Sequence, residues 1–311
     1  MNIILITGSA GFIASHLIEE LLKDKNNIII GIDNFYSGTK DNLNYLFSID
    51  VDKKFKFIEG DICNIEFLDN VMKEYQVKYI YHLAAIVSVQ ESIDNPILTN
   101  EVNIKGTLNI LESARVNNIK RVVFSSSAAV YGDEPTLPKN ENSLIQPISP
   151  YGHEKFVSEE YMKLYSKLYN LETVSLRYFN VYGERQNASS DYSGVISIFD
   201  KKFKDNEISM IYGDGEQYRD FVNVKDVVIA NIKAMNAKCI SGEVFCIGTS
   251  NKTSINQLFE YMNKKYNKSF SPIYKDSRKG DILESICDNS KAKNILKIKN
   301  FRSFESGVLE I

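Results

Sequence analysis

The chain has 311 residues, 43% apolar and 25% charged, enough for a sizeable core in one large or two smaller domains. Its net charge is −3, and no segment concentrates Lys and Arg without acidic neighbours, which argues against nucleic acid as a partner. Four scattered cysteines without a CxxC, three histidines without an HxxxH or HxxH pair, and no apolar run of ~18 residues argue against a metal site and against a membrane span.

Residues 3–7 (IILIT) form a short apolar run that predicts a buried strand. The run flows into GSAGFIA, starting at Gly8, and a helix is expected over 12–24. No signal peptide precedes it, and the cysteines read as small core residues of a reducing compartment, so a cytoplasmic protein is expected. Further strands are expected at 27–32, 55–60, 79–83, 121–126 and 173–179, and helices at 65–75, 98–117 and 151–169. Near-continuous apolar strands alternating with helices predict βαβ units and a doubly wound parallel α/β sheet, a Rossmann arrangement. Beyond residue 179 the pattern is irregular. Turn chemistry fills 183–220 around one basic helical stretch at 195–205, and a helix is expected at 226–236. A strand at 243–248 is able to rejoin the sheet, and one clear helix covers 255–266. The Lys-rich stretches 201–204 and 291–299 read as solvated faces. The expected plan is a large sheet domain (1–178 with 221–248) and a smaller α/β domain (179–220 with 249–311).

The turn after the first strand has the spacing GxxGxxA. Gly8 allows a tight turn, Gly11 lets backbone approach a pyrophosphate, and Ala14 is small enough for close helix–sheet packing. Such a pattern alone is an ordinary strand–helix turn. Here strand, turn, helix, second strand and Asp33 at its end agree, which predicts a dinucleotide site. Asp33 is suited to accept from ribose hydroxyls and to repel a 2′-phosphate. No Arg lies near it in sequence, which favours NAD over NADP. Asp61 and Ile62 follow the third strand and are candidates to flank the adenine, although Gly60-Asp61 also makes a plain turn.

In SPYGHEK, Ser149 and Pro150 read as helix N-cap and first residue, and Tyr151 and Lys155 share a face one turn apart. Tyrosine is a poor base at neutral pH. The Lys155 ammonium, the helix N-terminus and an oxidised nicotinamide are expected to lower its pKa. Ser127, ending the SSS run of FSSSAAVYG, is placed to hydrogen-bond a substrate oxygen.

This constellation resembles the extended short-chain dehydrogenase/reductase family, especially its nucleotide-sugar epimerases and dehydratases such as the UDP-glucose and UDP-N-acetylglucosamine 4-epimerases. The likeness runs through HLAA at 82–85, NIKGT at 103–107, SSAAVYG at 126–132, YGHEK at 151–155, RYFNVYG at 177–183, YRDFVNVKD at 218–226 and RKGD at 278–281. The resemblance implies that Ser127, Tyr151 and Lys155 are catalytic. It implies NAD contacts from Gly8, Ala10, Gly11, Phe12 and Ile13 in the turn. Asp33, Asn34, Asp61 and Ile62 would serve the adenosine half, and Leu83, Ala84 and Ala85, with Tyr151 and Lys155, the other half. The sugar would meet Ser88 and Ser127, and the base would meet backbone around Val195. Asn180 and Arg219 would hold the diphosphate, with Arg278 and Asp281 supporting phosphate and nucleoside. Arg also suits a domain-bridging ion pair, and both readings stay open for Arg219. The resemblance further implies a homodimer through the 98–117 and 151–169 helices, a nucleotide-binding sheet domain and a nucleotide-sugar-binding small domain.

Family members that eliminate water carry an Asp-Glu pair after the catalytic hydroxyl residue. Ala128 and Ala129 stand there in this chain and cannot transfer protons, which disfavours a dehydratase. Transient oxidation and reduction at C4 of a UDP-hexose or UDP-N-acetylhexosamine is the expected chemistry, with a net 4-dehydrogenase or 4-reductase of a UDP-, GDP- or dTDP-sugar as the alternative and a non-catalytic NAD-binding regulator as a remote one. Ser285 resembles the position where many 4-epimerases carry a bulky tyrosine. A serine there implies room for an N-acetyl group.

Overall fold

The computed structural model describes residues 1–186, 194–276 and 284–311. Strand β1 (Asn2–Thr7) is central. It pairs in parallel with β2 (Asn27–Asp33) on one side and β4 (Tyr79–His82) on the other. Outside β2 lies β3 (Phe55–Glu59). Outside β4 lie β5 (Arg121–Ser127), β6 (Glu172–Tyr178) and the strand Glu243–Ile247. All seven strands are parallel, and the order departs from β1 in both directions. A crevice therefore opens at the carboxyl ends of β1 and β4, where ligands bind on open α/β sheets. Leu5, Ile6, Ile29, Ile30, Val122, Val123 and Val174 are fully enclosed, because helices cover both faces.

Helix α1 (Phe12–Leu22) packs on one face with the Val224–Asn236 helix. The helices Ile65–Tyr75 and Gly106–Val116 cover the other, with Met162 and Tyr165 of the long helix Pro150–Tyr169. A separate apolar cluster joins Ile196, Phe199 and Phe203 of the Val195–Lys204 helix to Leu258, Phe259 and Met262 of the Ile255–Tyr266 helix.

The structure departs from the sequence reading at several points. A helix at Lys40–Ile49 escapes the apolar pattern because it buries only Asn42, Leu43 and Leu46. The helix expected over 98–117 is three pieces: Pro96–Asn100, a π-helical turn Glu101–Lys105, and Gly106–Val116. The wide turn carries the buried Asn103. Cys246 and Cys287 are core residues as read, but Cys63 is half-buried and Cys239 exposed, both on loops. Lys202 does not lie on a purely solvated face. It lines a cleft, because it stands two turns beyond Val195 on the same helix. Among the described residues no helix is long and apolar enough to cross a membrane.

Candidate active site

The glycine turn fits a dinucleotide by its own geometry. Gly8 has φ +70°, and a Cβ there would lie 2.9 Å from the Ala84 nitrogen and 3.0 Å from its Cα. The backbones of Gly8 and Leu83–Ala84 therefore touch, and only glycine permits it. Helix α1 starts at Gly11 with no side-chain cap, leaving its first N–H groups open to an anion. Phe12 and Ile13, half-buried, open that helix.

Asp33 ends β2 almost fully buried. One carboxylate oxygen accepts from the Ala10 N–H at 3.0 Å and the other from the Phe35 N–H at 2.7 Å. Burial pushes its pKa up against these bonds. A carboxylate offers about four acceptor sites, which leaves capacity for a ribose hydroxyl. Asn34 and Asp61 meet at 3.2 Å on the exposed rim, and Ile62 is buried beneath them. The loop after β2 folds back on the turn: Thr39 N–H and Asn42 Nδ2 both donate to the Ala10 carbonyl, at 3.0 and 2.9 Å.

Ser127 closes β5 and caps a short 3₁₀ turn, its Oγ accepting from the Ala129 N–H at 3.1 Å. Opposite it, Ser149 caps the Pro150–Tyr169 helix, accepting from the Gly152 N–H at 3.2 Å, with Pro150 in its first turn as the sequence predicts. A Cβ at Gly152 would lie 2.5 Å from the Ala129 carbonyl oxygen. This contact lets the helix approach β5 closely, and Ser127 acts on the Tyr151 phenol. Lys155 lies one turn on, its Nζ donating to the Ser125 carbonyl at 2.9 Å and sitting 5.8 Å from the Tyr151 ring centroid.

The electrostatics correct one expectation. Burial pushes the Tyr151 phenol up to about 12, the Ser127 hydrogen bond opposes this, and the Glu154 charge adds to it. Burial also lowers Lys155 to about 8, against the charges of Glu154 and Glu159. Lys155 and the helix N-terminus therefore do not lower the Tyr151 pKa by themselves, because desolvation outweighs them.

Buried polar side chains hold this floor rigid. Thr7 Oγ1 accepts from the N–H groups of Leu83 and Ala84, both at 3.2 Å, and so donates its own proton to His82 Nδ1 at 2.8 Å. His82 Nε2–H then donates to Thr107 Oγ1 at 3.0 Å, and Thr107 to the Asn103 carbonyl at 2.6 Å. His82 is fully enclosed, and burial drives its pKa down to about 3, so it stays neutral. Ala85 follows on the same half-buried loop, and Ser88 caps the next short helix, accepting from the Glu91 N–H at 3.0 Å.

A cleft of about 460 Å³ lies beyond, lined by Asn180, Val195 and Arg219 with Gln186, Lys202 and Tyr212. Three residues expected at the substrate thus share one cavity, while Ser127 ends the interior strand β5 and Tyr151 and Lys155 lie on the helix packed against it. Asn180 donates to the Asp220 carbonyl at 3.1 Å. The buried Asp220 carboxylate accepts from Thr249 N–H and Oγ1, Ser250 N–H and Cys287 N–H, which anchors the strand bearing Arg219. Ser285 is half-buried beside this strand, its N–H donating to the Tyr218 carbonyl at 3.2 Å. Arg278 and Asp281 lie outside the described residues. Sequence reasoning missed Gly152, Asn103, Asp220 and Lys202. Asn103, Gly152 and Asp220 lie within NIKGT, YGHEK and YRDFVNVKD, segments read without a role for them, and Lys202 is signalled by its i+7 spacing from Val195.

A sequence profile describing the NAD dependent epimerase/dehydratase family matches residues 4–248. A putative UDP-glucose 4-epimerase of Methanocaldococcus jannaschii is 42% identical over 293 residues, covering 94% of this chain and 92% of that protein. Two solved structures superpose with TM-scores of 0.92 over 99% of this chain and 96% of theirs. One is the Thermotoga maritima UDP-glucose 4-epimerase with UDP-glucose, 37% identical. The other is the Methanobrevibacter ruminantium UDP-N-acetylglucosamine 4-epimerase in complex with UDP-N-acetylmuramic acid, 36% identical. With that match across its sheet, its glycine turn and the helix Pro150–Tyr169, the chain belongs to the NAD dependent epimerase/dehydratase family, as an NAD-dependent enzyme of its nucleotide-sugar epimerase branch.

Proposed function

We propose that the protein inverts C4 of a UDP-hexose or UDP-N-acetylhexosamine by transient oxidation and reduction. The observation that carries this reading is the buried Tyr151–Lys155 pair, Lys155 bonded to the Ser125 carbonyl and the phenol under the influence of Ser127, at the carboxyl end of β5. NAD, when bound, supplies a reversible two-electron acceptor for the sugar carbon and a positive ring that favours the ionised phenol. In this reading Gly8, Gly11 and the open end of α1 bind the pyrophosphate, and Asp33 the adenosine ribose. Lys155 orients the nicotinamide ribose and stabilises the phenolate. Tyr151 Oη takes the O4 proton while Ser127 Oγ hydrogen-bonds O4, so the reacting groups meet without diffusion. The keto-sugar turns its other face to the site, and Tyr151 returns the proton to O4. Asn180 and Arg219 hold the diphosphate, Arg219 by its bidentate fork.

Ala128 and Ala129 support the epimerase over the dehydratase reading, since neither moves a proton. Ser285 supports acceptance of an N-acetyl substituent, and relatives named for both UDP-glucose and UDP-N-acetylglucosamine are consistent with it. In this reading the seven-stranded sheet with 221–248 is the cofactor domain, and 179–220 with 249–311 the substrate domain. A homodimer is part of the same proposal. It is supported by Ile97, 84% exposed, and by Leu164 and Leu168, an exposed i,i+4 pair on the catalytic helix.

The test is to incubate the protein with UDP-glucose and UDP-N-acetylglucosamine, with catalytic and with stoichiometric NAD, and follow the sugar by proton NMR. Conversion at C4 with catalytic NAD is expected for both sugars. A need for stoichiometric NAD would make the enzyme a dehydrogenase. Turnover of UDP-glucose alone would remove the argument from Ser285. Tyr151→Phe is expected to lose ~10²–10⁴-fold in kcat, and unchanged turnover would leave only an NAD-binding protein.

A further inference from the structure

Glu154 is buried, 2% exposed, in the first turns of the catalytic helix, yet the chemistry above gives it no task. Its two oxygens accept from neutral donors, Thr99 Oγ1 at 2.6 Å and Asn103 Nδ2 at 2.7 Å. The next residue is Lys155, itself 4% exposed, whose ammonium donates to the Ser125 carbonyl and faces the Phe124 ring at 4.9 Å. Among the described residues neither charge has an ion-pair contact. By contrast the other buried carboxylate of this helix, Glu159, is paired with Arg177 at 2.6 Å. An enclosed charge with no counter-charge is strongly unfavourable. Glu154 and Lys155 offset each other through the protein interior, where charges act at longer range than in water.

Asn103 adds a mechanical link. Its Oδ1 accepts from the Ile86 N–H and its Nδ2 donates to the Ile86 carbonyl, both at 2.9 Å. The third bond, to Glu154, fixes the orientation of that amide. The catalytic helix is thereby tied to the loop that carries Leu83, Ala84 and Ala85.

We propose that Glu154 is a positioning residue: its fixed negative charge holds Lys155 as an ammonium beside Tyr151, and its two hydrogen bonds tie the catalytic helix to the loop at Ile86. This rests on the roles proposed above for Tyr151 and Lys155. Two carboxylates act on Lys155, Glu154 more than Glu159. Tyr151 and Glu159 share its helix, and Glu159 is already ion-paired with Arg177 of β6. His82 of β4 is neutral, and β5 offers only the Ser125 carbonyl and the Ser127 hydroxyl. Burial already pulls Lys155 down to about 8, and the Glu154 charge opposes that pull.

Glu154→Gln removes the charge and keeps the bonds. The amide oxygen accepts from Asn103, and the amide N–H₂ donates to Thr99, whose hydroxyl then donates to the Pro96 carbonyl, already 3.3 Å away. The experiment follows kcat/KM from about pH 6 to 10, with melting temperature and NAD titration calorimetry in parallel. In E154Q the alkaline limb is expected to move down by about one pH unit, with the melting temperature near that of the wild type. NAD affinity is expected to weaken at the same lower pH. Glu154→Asp keeps the charge and is expected to keep the wild-type limb. A wild-type limb in E154Q, or a limb in E154D displaced by about one unit, overturns the assignment. The E154D result decides it even where E154Q does not accumulate. Tyr151→Phe is run alongside. Turnover in that variant sinks the proposed chemistry, whereas its loss together with an unmoved E154Q limb sinks only the role of Glu154.

Discussion

Gly8→Ala tests the contact on which the cofactor turn is built. Gly8 has φ +70°, where an alanine costs ~1–2 kcal/mol in backbone strain. The new methyl would also sit 2.9 Å from the Ala84 nitrogen, 3.0 Å from its Cα and 3.1 Å from the Leu83 carbonyl carbon. These are backbone atoms held by Thr7, so no side chain can rotate away, and overpacking adds ~1–3 kcal/mol. The total of ~2–5 kcal/mol corresponds to a fall in Tm of ~3–8 °C in a chain of this size. Gly242→Ala is the control. It has a similar φ of +78°, but its nearest neighbour is the Ser166 hydroxyl at 3.3 Å, a side chain able to turn. Only strain operates there. Thermal unfolding by circular dichroism should therefore place G8A below G242A by the overpacking contribution. Calorimetry should show NAD bound at least ~10-fold more weakly by G8A, about 1.4 kcal/mol. Equal melting of the two variants would refute the reading of a backbone-to-backbone contact, and unchanged NAD affinity would refute its place in the cofactor site.

Two further outcomes follow from the same geometry. Asp33→Ser removes the carboxylate proposed to accept from the ribose; charge-assisted hydrogen bonds of ~1.5–3 kcal/mol are lost, so NAD should bind ~10–100-fold more weakly while NADP is not further penalised. A NAD-to-NADP preference equal to wild type, measured by competitive titration, would contradict it. His82 is held neutral with a pKa of about 3, whereas the unfolded chain takes up its proton near pH 6.5. The unfolded state therefore binds more protons in that window, and stability falls as pH drops from about 6.5 toward 3. At pH 5 this one residue should lower stability by ~2 kcal/mol relative to pH 7.5. The difference in urea unfolding free energy between wild type and His82→Asn should shrink by that amount at the lower pH, and a constant difference would count against a buried neutral imidazole.

Much of this protein is legible as sequence because its elements announce themselves locally. The parallel strands are short apolar runs, since both faces are covered. Gly8 and Gly11 follow the first run without a gap, and Ser149-Pro150 marks the start of the helix that carries Tyr151 and Lys155. Strand 243–248 reads as a candidate to rejoin the sheet, and it does so beside β6. What escaped depends on surroundings contributed from far along the chain. The helix Lys40–Ile49 needs only two leucines because its cap and Asn42 are held by the turn at Ala10. The π turn at Glu101–Lys105 exists where Asn103 must reach both Ile86 and Glu154. A residue-by-residue reading counts Lys155 as a cation that acidifies its neighbour. Enclosure of both side chains reverses the balance, because desolvation sums over every atom packed around a charge. Periodicity and turn chemistry act between neighbours and are written in order along the chain. Burial, close backbone approach and compensation between charges act across space, so only the folded structure decides them.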